Sequence, residues 1–441
     1  MERLAADRRR FLALAGSTAF AGCSGLSPSN DGEDAETTTP TRRKPPLGDP
    51  APEGSWPTVG RNRARTAADP TTTAAAPSLA WTQSLAGPTT VPIVVGNTVY
   101  HTRGAPSDGV AEATLEAFAL DTGERRWSEP LGRSFEGVES RPTYHRGTLF
   151  LVAGRVALAV DAASRERYWV TRFEDREYTD SRGRSETESH WVLGPVAATD
   201  DGLFVGDALG GLVCLNRDGT ERWRHGSKPY MYWPPTVVDG TAYAEGLTAL
   251  DTADGSVQWR YTPDDGPVAG GPVSVADGAV FRSGRDVVDA VTLDGSRRWA
   301  RETFTDGGVR PAVDGERLYV ADNDGNAAAF SLDSGERVWG TQLYDDVGPS
   351  RTVPVVVDGA FLVCYAVDGR VTVTALDTET GEQRWQLERR AKTGGGTVSS
   401  DGTVLFTTKT PPDPEGSVTP DRSTADPTGT TTRLYAFRHD A

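Results

Sequence analysis

Short runs of alternating apolar and polar residues cover most of the chain, and Gly and Asp separate the runs. Within the stretch 309–339, this alternation predicts strands at 311–314, 317–321 and 327–332, followed by a strand that carries Trp339. A period of two is typical of half-buried strands, and DG and NDGN sequences favour hairpin turns. The same order of strands and turns recurs from Pro235, Pro272 and Pro354. The pattern predicts an all-β fold built from four-stranded antiparallel units.

A tryptophan ends each unit, on the strand that follows an Asp-Gly turn. The clearest copies are AFALDTGERRW, AAFSLDSGERVW and TALDTETGEQRW. The spacing averages about 43 residues, within the range of four-stranded propeller blades. A single four-stranded sheet cannot bury both of its faces, so we expect the sheets to stack in a ring with the indoles docked between neighbours. The predicted docking residues are Trp81, Trp127, Trp169, Trp223, Trp259, Trp299, Trp339 and Trp385.

The two ends of the chain are predicted to share one blade. The strand 79–85, which carries Trp81, has no three strands of its own before it. The last segment, 396–438, supplies three strands but no tryptophan. Joining the two gives an eight-bladed β-propeller in which an N-terminal strand closes the last blade. Seven blades would result if the weak unit ending at Trp169 were not a blade.

The first 22 residues have the features of an export signal. Arg8 and Arg9 begin an R-R-x-F-L pattern, and the apolar stretch after it is too short to span a membrane. Small residues precede Cys23, an arrangement similar to a lipobox. We therefore expect a twin-arginine lipoprotein signal peptide at 1–22 and a protein anchored to the outer face of the cell membrane by lipid on Cys23. The alternative is an ordinary secretory signal followed by an incidental cysteine.

Three other segments differ in composition from the repeats. Residues 23–54 are rich in Thr, Pro and acidic residues and poor in apolar ones, which predicts a disordered tether in front of a propeller at 55–441. Residues 410–432 have a similar composition and are predicted to form a disordered loop within the closing blade. Residues 173–189 are a polar insertion after the Trp169 strand.

The chain is acidic, with 62 Asp and Glu against 46 Lys and Arg and a formal net charge of −16. Only four of the basic residues are lysines. An acidic composition that is rich in arginine and poor in lysine resembles that of secreted proteins of halophilic archaea. Nucleic acid is not an expected partner, because phosphate contacts require a basic surface.

The tryptophan-ended phrase, together with the opening sequence WPTVGRN from Trp56, resembles the tryptophan-docking repeats of pyrroloquinoline-quinone (PQQ) dehydrogenase-like propellers. That superfamily includes quinoprotein alcohol dehydrogenases. It also includes a non-catalytic lipoprotein of the bacterial outer-membrane protein assembly machinery, which this chain resembles in size and in its lipid anchor. The resemblance implies a non-catalytic binding scaffold without a cofactor. The alternative that it leaves open is a PQQ-dependent dehydrogenase with an atypical funnel site.

The dehydrogenase branch places PQQ, calcium and a catalytic Asp in the central funnel and usually has a pair of adjacent cysteines against the quinone. Here Cys23, Cys214 and Cys364 are far apart in the sequence. Cys214 and Cys364 lie in apolar strands, where we expect small buried side chains, or a disulfide if their blades approach closely. The five histidines are scattered, and no metalloprotease, nucleophile-elbow or phosphate-loop motif occurs.

The best candidate binding surface is the funnel face, which we define as the end of the ring where the chain joins the innermost strand of each blade. Aligning the units on the proline that opens this strand gives Arg141 and Arg310 equivalent positions and puts Arg351 two residues before its own. Arginines beside aromatic rings favour an anionic or planar ligand, or a partner protein's side chain. The nearby aromatic residues are Trp191, Tyr230, Tyr232 and Trp233.

Purely structural roles are also open to these funnel-face residues. The arginines can instead bond carbonyl groups at strand ends, and the aromatic rings can simply seal the ring of blades. A third possibility is that the aromatic residues bind a sugar or another polymer.

Overall fold

In a computed structural model of the chain, the described residues form β-strands joined by turns and loops. Within the described residues there is no helix, and so none that could cross a membrane. The described residues are 42–439 without the positions 74, 86–89, 104–112, 133–140, 175, 180–184, 189–191, 208–210, 227–234, 245–246, 264–272, 284–286, 305–310, 346, 348–353 and 411–430.

Thirty-five strands make up the described chain, and most of them form consecutive four-stranded blades. Two strands come before the first complete blade, β1 (Ala68–Thr73) and β2 (Ser78–Leu85). Blade 1 is formed by β3 (Ile93–Val95), β4 (Thr98–Arg103), β5 (Thr114–Ala119) and β6 (Arg125–Pro130). Blade 2 is formed by β7 (Thr143–His145), β8 (Thr148–Ala153), β9 (Val156–Asp161) and β10 (Arg167–Arg172). A separate hairpin, β11 (Arg176–Thr179) and β12 (Ser185–Glu188), follows in the predicted insertion.

The next four blades repeat this layout. Blade 3 is formed by β13 (Val192–Ala198), β14 (Gly202–Asp207), β15 (Gly211–Asn216) and β16 (Glu221–Gly226). Blade 4 is formed by β17 (Thr236–Val238), β18 (Thr241–Ala244), β19 (Thr248–Asp251) and β20 (Val257–Arg260). Blade 5 is formed by β21 (Val273–Ala276), β22 (Ala279–Ser283), β23 (Val287–Thr292) and β24 (Arg297–Glu302). Blade 6 is formed by β25 (Ala312–Val313), β26 (Arg317–Ala321), β27 (Asn326–Ser331) and β28 (Arg337–Gln342).

The last two blades incorporate the strands from the start of the chain. Blade 7 is formed by β29 (Val355–Asp358), β30 (Ala360–Val367), β31 (Arg370–Asp377) and β32 (Gln383–Arg390), and β1 pairs in parallel with β29 at its inner edge. Blade 8 is formed by β33 (Thr393–Ser400), β34 (Thr403–Thr410) and β35 (Thr431–Arg438), with β2 antiparallel to β35 as its outer strand. The eight blades and the closure of the last blade by an N-terminal strand are confirmed.

Each tryptophan is the end of a row of side chains that crosses the outer three strands of its blade. In blade 5, Phe281 pairs with Ala290, which pairs with Trp299, and the two rings lie 6.0 Å apart across the alanine. Because the alanine between them is small, the rings of Phe281 and Trp299 can contact each other. The register places Ala opposite Trp in seven blades and Cys214 opposite Trp223 in blade 3. A bulge directly before the tryptophan in every blade turns the strand towards its neighbour.

The indoles pack on glycines of the following blade. At six of the contacts between blades, a Cβ added to the glycine would lie 2.5–2.8 Å from indole atoms, and the glycine has a φ of +68 to +89°. Glycine adopts that φ without strain. The indole N–H also donates to a carbonyl of the same turn, as from Trp299 to Leu332 at 2.9 Å. The six pairs are Trp81–Gly123, Trp169–Gly219, Trp223–Gly255, Trp259–Gly295, Trp299–Gly335 and Trp339–Gly381.

Two predicted segment boundaries change in the structure. The predicted loop 410–432 is shorter, because the β34–β35 ladder continues to its last pairs and includes Thr410, Thr431 and Thr432. Residues 411–430 lie outside the described part. Residues 42–54 of the predicted tether lie on the propeller. The backbone N–H of Arg43 donates to Tyr168, and that of Gly48 donates to Arg146. These backbone hydrogen bonds and the Arg43–Glu166 ion pair therefore hold this stretch against blade 2.

Both internal cysteines are buried and free, so no disulfide links Cys214 to Cys364. Cys214 takes the place that alanine has in the other blades, which explains a small side chain there. Burial raises the pKa of the Cys214 thiol to about 11 and that of Cys364 to about 12. Both thiols are therefore unreactive at neutral pH.

Candidate functional site

The centre of the ring is crossed by residues 56–69, which we call the axial segment. Its backbone is hydrogen-bonded to the innermost strands of six blades at 2.7–3.2 Å. The bonded pairs are Trp56 with Val94, Pro57 with Tyr144, Arg63 with Val237, Ala64 with Val275, Thr66 with Val313 and Ala67 with Val356. Blades 3 and 8 are reached by side chains, through Arg65 to the Val196 carbonyl and from Ser399 to the Asp69 carboxylate. The axial segment thus contacts all eight blades.

Arg65 is the central side chain of this segment and is 1% exposed. Its guanidinium donates to three backbone carbonyls, those of Val59, Pro235 and Val196, at 2.5, 2.9 and 3.5 Å. Burial, with a smaller contribution from the charge of Arg141, lowers the pKa of Arg65 to about 9. The side chain is therefore still cationic at pH 7, and a buried positive charge lies near the axis.

The residues at the axis do not fit a calcium and quinone site. In the part of the chain that the structure describes, no cluster of three or more His, Cys, Asp or Glu side chains could hold a metal ion. The carboxylate of Asp69 in the axial segment is already used, because it accepts hydrogen bonds from Thr71, Thr72 and Ser399. The cationic Arg65 would also repel a divalent cation placed beside it.

Most of the funnel-face residues predicted from the sequence lie outside the described residues. These are Arg310, Arg351, Trp191, Tyr230, Tyr232 and Trp233, and the same holds for Arg8, Arg9 and Cys23. Arg141 is described and is half-buried at the start of blade 2. Its electrostatic interaction with Arg65 places it on the inner side of the ring.

A cleft of about 320 Å³ lies between the axial segment and blades 2 and 3. We call it the arginine cleft and define it by Arg61, Arg63, Arg65, His145, Arg146 and Asp200. His145 and Arg146 come from the turn that joins the first two strands of blade 2, and Asp200 comes from the corresponding turn of blade 3. Such turns lie at the end of the innermost strand that is opposite the funnel face. Sequence reasoning placed the binding surface at the other end of these strands.

Within the cleft, the one carboxylate among the lining residues is already paired. Asp200 Oδ1 lies 2.8 Å from His145 Nε2 and 3.1 Å from Arg146 Nε. Burial lowers the pKa of His145, and the hydrogen bond to Asp200 opposes that effect. The four guanidinium groups therefore outnumber the carboxylate, and the cleft is positive on a chain with a net charge of −16.

The sequence did contain a signal for this cleft. Arg61 lies within the opening sequence WPTVGRN on which the family resemblance rests, and Arg63 and Arg65 follow it at alternate positions. The signal was unusable without coordinates, because the left-handed φ angles of Arg61 and Arg65 break the alternation that a strand would give. The cleft also needs His145 and Arg146 of blade 2 and Asp200 of blade 3, which lie beside the axial segment only once the blades have stacked in the ring.

Comparison with known families agrees with this architecture. A model of the family described as Outer membrane protein assembly factor BamB matches residues 74–193, 153–307 and 284–418. The chain belongs to the BamB family. The BamB of Moranella endobia is 26% identical over 289 residues, which are 59% of this chain and 71% of that protein. The BamB of Shewanella oneidensis is 25% identical over 286 residues, 59% of this chain and 70% of that protein.

Solved structures share the fold of this BamB-family chain. BamB from Moraxella catarrhalis superposes with a TM-score of 0.58 at 14% identity, covering 82% of this chain and all of that one. A europium-containing methanol dehydrogenase superposes with a TM-score of 0.64 at 14% identity, covering 88% and 98%. A quinohemoprotein alcohol dehydrogenase of Pseudomonas putida is 30% identical over 165 residues, but these are 35% of this chain and 19% of the enzyme.

Proposed function

We propose that this chain is a non-catalytic binding scaffold that is anchored outside the cytoplasm by lipid on Cys23 and holds a partner protein on its funnel face. The observation that carries the proposal is the filled axis. Because the axial segment is bonded to all eight blades, the faces and loops of the ring are the surfaces left for a partner. Membership in a family named for a protein assembly factor supports a protein as the partner.

The arginines and aromatic residues of the funnel face are the proposed contact residues. They are Arg141, Arg310, Arg351, Trp191, Tyr230, Tyr232 and Trp233. Arg141 already interacts with the buried charge of Arg65, so an acidic group on the partner would relieve the repulsion between two like charges. Aromatic residues and arginine are also the types that dominate binding energy at interfaces.

The test is crosslinking on intact cells, followed by mass spectrometry, with a double variant, Arg141→Ala with Arg310→Ala. We expect the double variant to capture the partner at least tenfold less, since each lost charged contact is worth about 1.5–3 kcal/mol. Arg370→Ala with Arg433→Ala is the matched control, because both arginines are exposed, on the third strands of blades 7 and 8. Equal capture by the funnel-face and control variants, at equal thermal stability, would refute the proposed contact surface.

The proposed anchor has a separate test. Cys23→Ser should move the protein from the membrane fraction to the soluble extracytoplasmic fraction, whereas Arg8→Lys with Arg9→Lys should leave it inside the cell. Retention of the Cys23→Ser variant on the membrane would contradict lipid anchoring.

The dehydrogenase alternative is tested with purified protein, PQQ and calcium. The observations against it are the axis filled by Arg65 and the lack of a metal-binding cluster in the described residues. Dye reduction with alcohols or sugars, at a rate that depends on both PQQ and calcium, would overturn the non-catalytic proposal.

A further inference from the structure

We propose that the arginine cleft is a binding site for a small oxyanion ligand that carries carboxylate or phosphate groups. It lies at the opposite end of the ring from the proposed partner surface, so the proposal stands independently of the function proposed above. Its basis is the geometry of four guanidinium groups around one concave space of about 320 Å³. That volume is within the range of small-molecule sites.

The first step of the argument concerns which donors are already used. Each of the three guanidinium nitrogens of Arg65 donates to a backbone carbonyl, so this side chain acts mainly as a fixed charge. Arg61 donates from Nη1 to the Ala68 carbonyl at 2.7 Å, and its Nη2 is 3.8 Å from Asp69. Its Nε is buried and has no partner among the described residues. Arg61 therefore retains unused donor capacity beside the cleft.

The second step concerns Arg63 and Arg146, which lie nearer to solvent. Arg63 is exposed, and its guanidinium forms no hydrogen bond or ion pair with any described residue. Arg146 uses Nε for Asp200 and contacts the Gly48 carbonyl from Nη1 at 3.4 Å, which leaves its Nη2 available. Guanidinium groups recognise carboxylates and phosphates through paired N–H donors. Arg63 and Arg146 are thus the residues we assign to direct contact with the anion.

The third step concerns why the backbone is held in this shape. Arg61, Arg65 and Ala67 have φ angles of 67, 56 and 53°, a region that side chains other than glycine rarely adopt. An extended strand would place these alternate residues on one face; here the backbone folds back, and Arg61, Arg63 and Arg65 still line one cleft with blades 2 and 3. Pro50, Ala51 and Pro57 add an apolar wall, which limits competition from water.

The test is isothermal titration of the purified propeller with citrate, pyrophosphate and inorganic phosphate, each against sodium chloride at matched ionic strength. We expect at least one of them to bind saturably with a Kd of about 1 mM or lower. Binding of citrate alone would identify a carboxylate ligand, and binding of pyrophosphate or phosphate a phosphorylated one. Either result supports the site if it depends on Arg63.

Two variants make that dependence measurable. Arg63→Ala removes a guanidinium without a described partner and keeps the backbone bond to Val237, so it should fold normally and weaken binding about 10- to 100-fold. Arg433→Ala, an exposed arginine of blade 8, is the matched control and should bind as the unmodified protein does. Absence of saturable binding by all three anions, or equal binding by Arg63→Ala and the unmodified chain, would overturn the proposal. Neither result would change the crosslinking expected at the funnel face.

Discussion

Blades 1 and 5 lie four blades apart in the ring and share the same strand layout, but they contact their neighbours differently. Trp299 of blade 5 is buried against Gly335 and donates to the Leu332 carbonyl. Trp127 of blade 1 is half-buried and faces a turn of blade 2 in which Arg165 takes the place of glycine, at a φ of 68°. No hydrogen bond from the Trp127 indole to a described residue is present.

The two blades also differ at one buried pair. Arg282 and Asp289 of blade 5 form an ion pair, which Tyr261 supports with a hydrogen bond to Asp289 at 3.2 Å. The equivalent residues of blade 1 are His101 and Glu116, whose nearest atoms are 3.9 Å apart. Neither ring nitrogen of His101 has a partner among the described residues. Because His101 is neutral, this contact is not an ion pair.

The comparison shows at which blades the contact between tryptophan and glycine can be lost. Besides the axial segment, residues 42–55 also lie on blades 1 and 2: Ser55 Oγ accepts from the Gly96 N–H of blade 1, and the Gly48 N–H donates to the Arg146 carbonyl of blade 2. Among the described residues, the N-terminal chain contacts blades 5 and 6 through the axial segment alone, so the contact between these two blades depends more on the indole and its glycine. A weaker contact between two blades is tolerated where another segment of the same chain also lies on both of them.

The largest expected effect comes from removing the indole of blade 5. Trp299→Ala should lower the free energy of unfolding by about 3–5 kcal/mol, because it leaves a cavity and an unpaired carbonyl. Trp127→Ala should cost about 2 kcal/mol, since that ring is half-exposed and buries less surface. Denaturant unfolding measures both. Equal losses would contradict the difference between the two seams.

A glycine substitution at the same seam separates steric fit from backbone strain. Gly335→Ala should cost about 2–4 kcal/mol, because the new Cβ would lie 2.5 Å from Trp299 and the φ is 68°. Gly278→Ala is the matched control, with a φ of 67° and no atom within 4 Å of the new Cβ. The control should cost only about 1 kcal/mol. Similar melting temperatures for the two variants would show that the Trp299 indole can move away from the new Cβ at little cost.

Acidification should destabilise blade 1 through His101. Burial, and secondarily the charge of Arg103, lowers the pKa of His101 to about 3, whereas the unfolded chain protonates this ring near pH 6.5. Between these values the unfolded state binds more protons, so stability falls as the pH falls, by about 2 kcal/mol at pH 5. His101→Leu should remove this part of the loss between pH 7 and pH 5. His225→Leu, at a more exposed histidine, should change it less.

The smallest expected effect is a gain. Arg165→Gly should raise the free energy of unfolding by about 0.5–1 kcal/mol, because glycine adopts the φ of 68° without strain although it is more flexible when unfolded. It should also let Trp127 approach the turn, which tryptophan fluorescence would report. A loss of stability would indicate that the Arg165 side chain itself supports the seam.

Much of the fold could be predicted because it depends on local patterns. The Asp-Gly turns, the strand alternation and the spacing of the tryptophans indicate the blades, and the unmatched Trp81 strand indicates the closure. The row of Phe281, Ala290 and Trp299 was not recognised, because its members lie on different strands and meet only through register. The arginine cleft was missed for the same reason, since His145 and Asp200 are brought together by the stacking of two blades.

The shared construction of blade 8 has a consequence for biosynthesis. Its outer strand, β2, is synthesised before blades 1 to 7, and its partner β35 is synthesised after all of them. A chain that stops before residue 431 therefore leaves both β34 and β2 without the strand that pairs with them. Truncated products cannot close the ring of blades, so cellular proteases can distinguish them from the finished molecule.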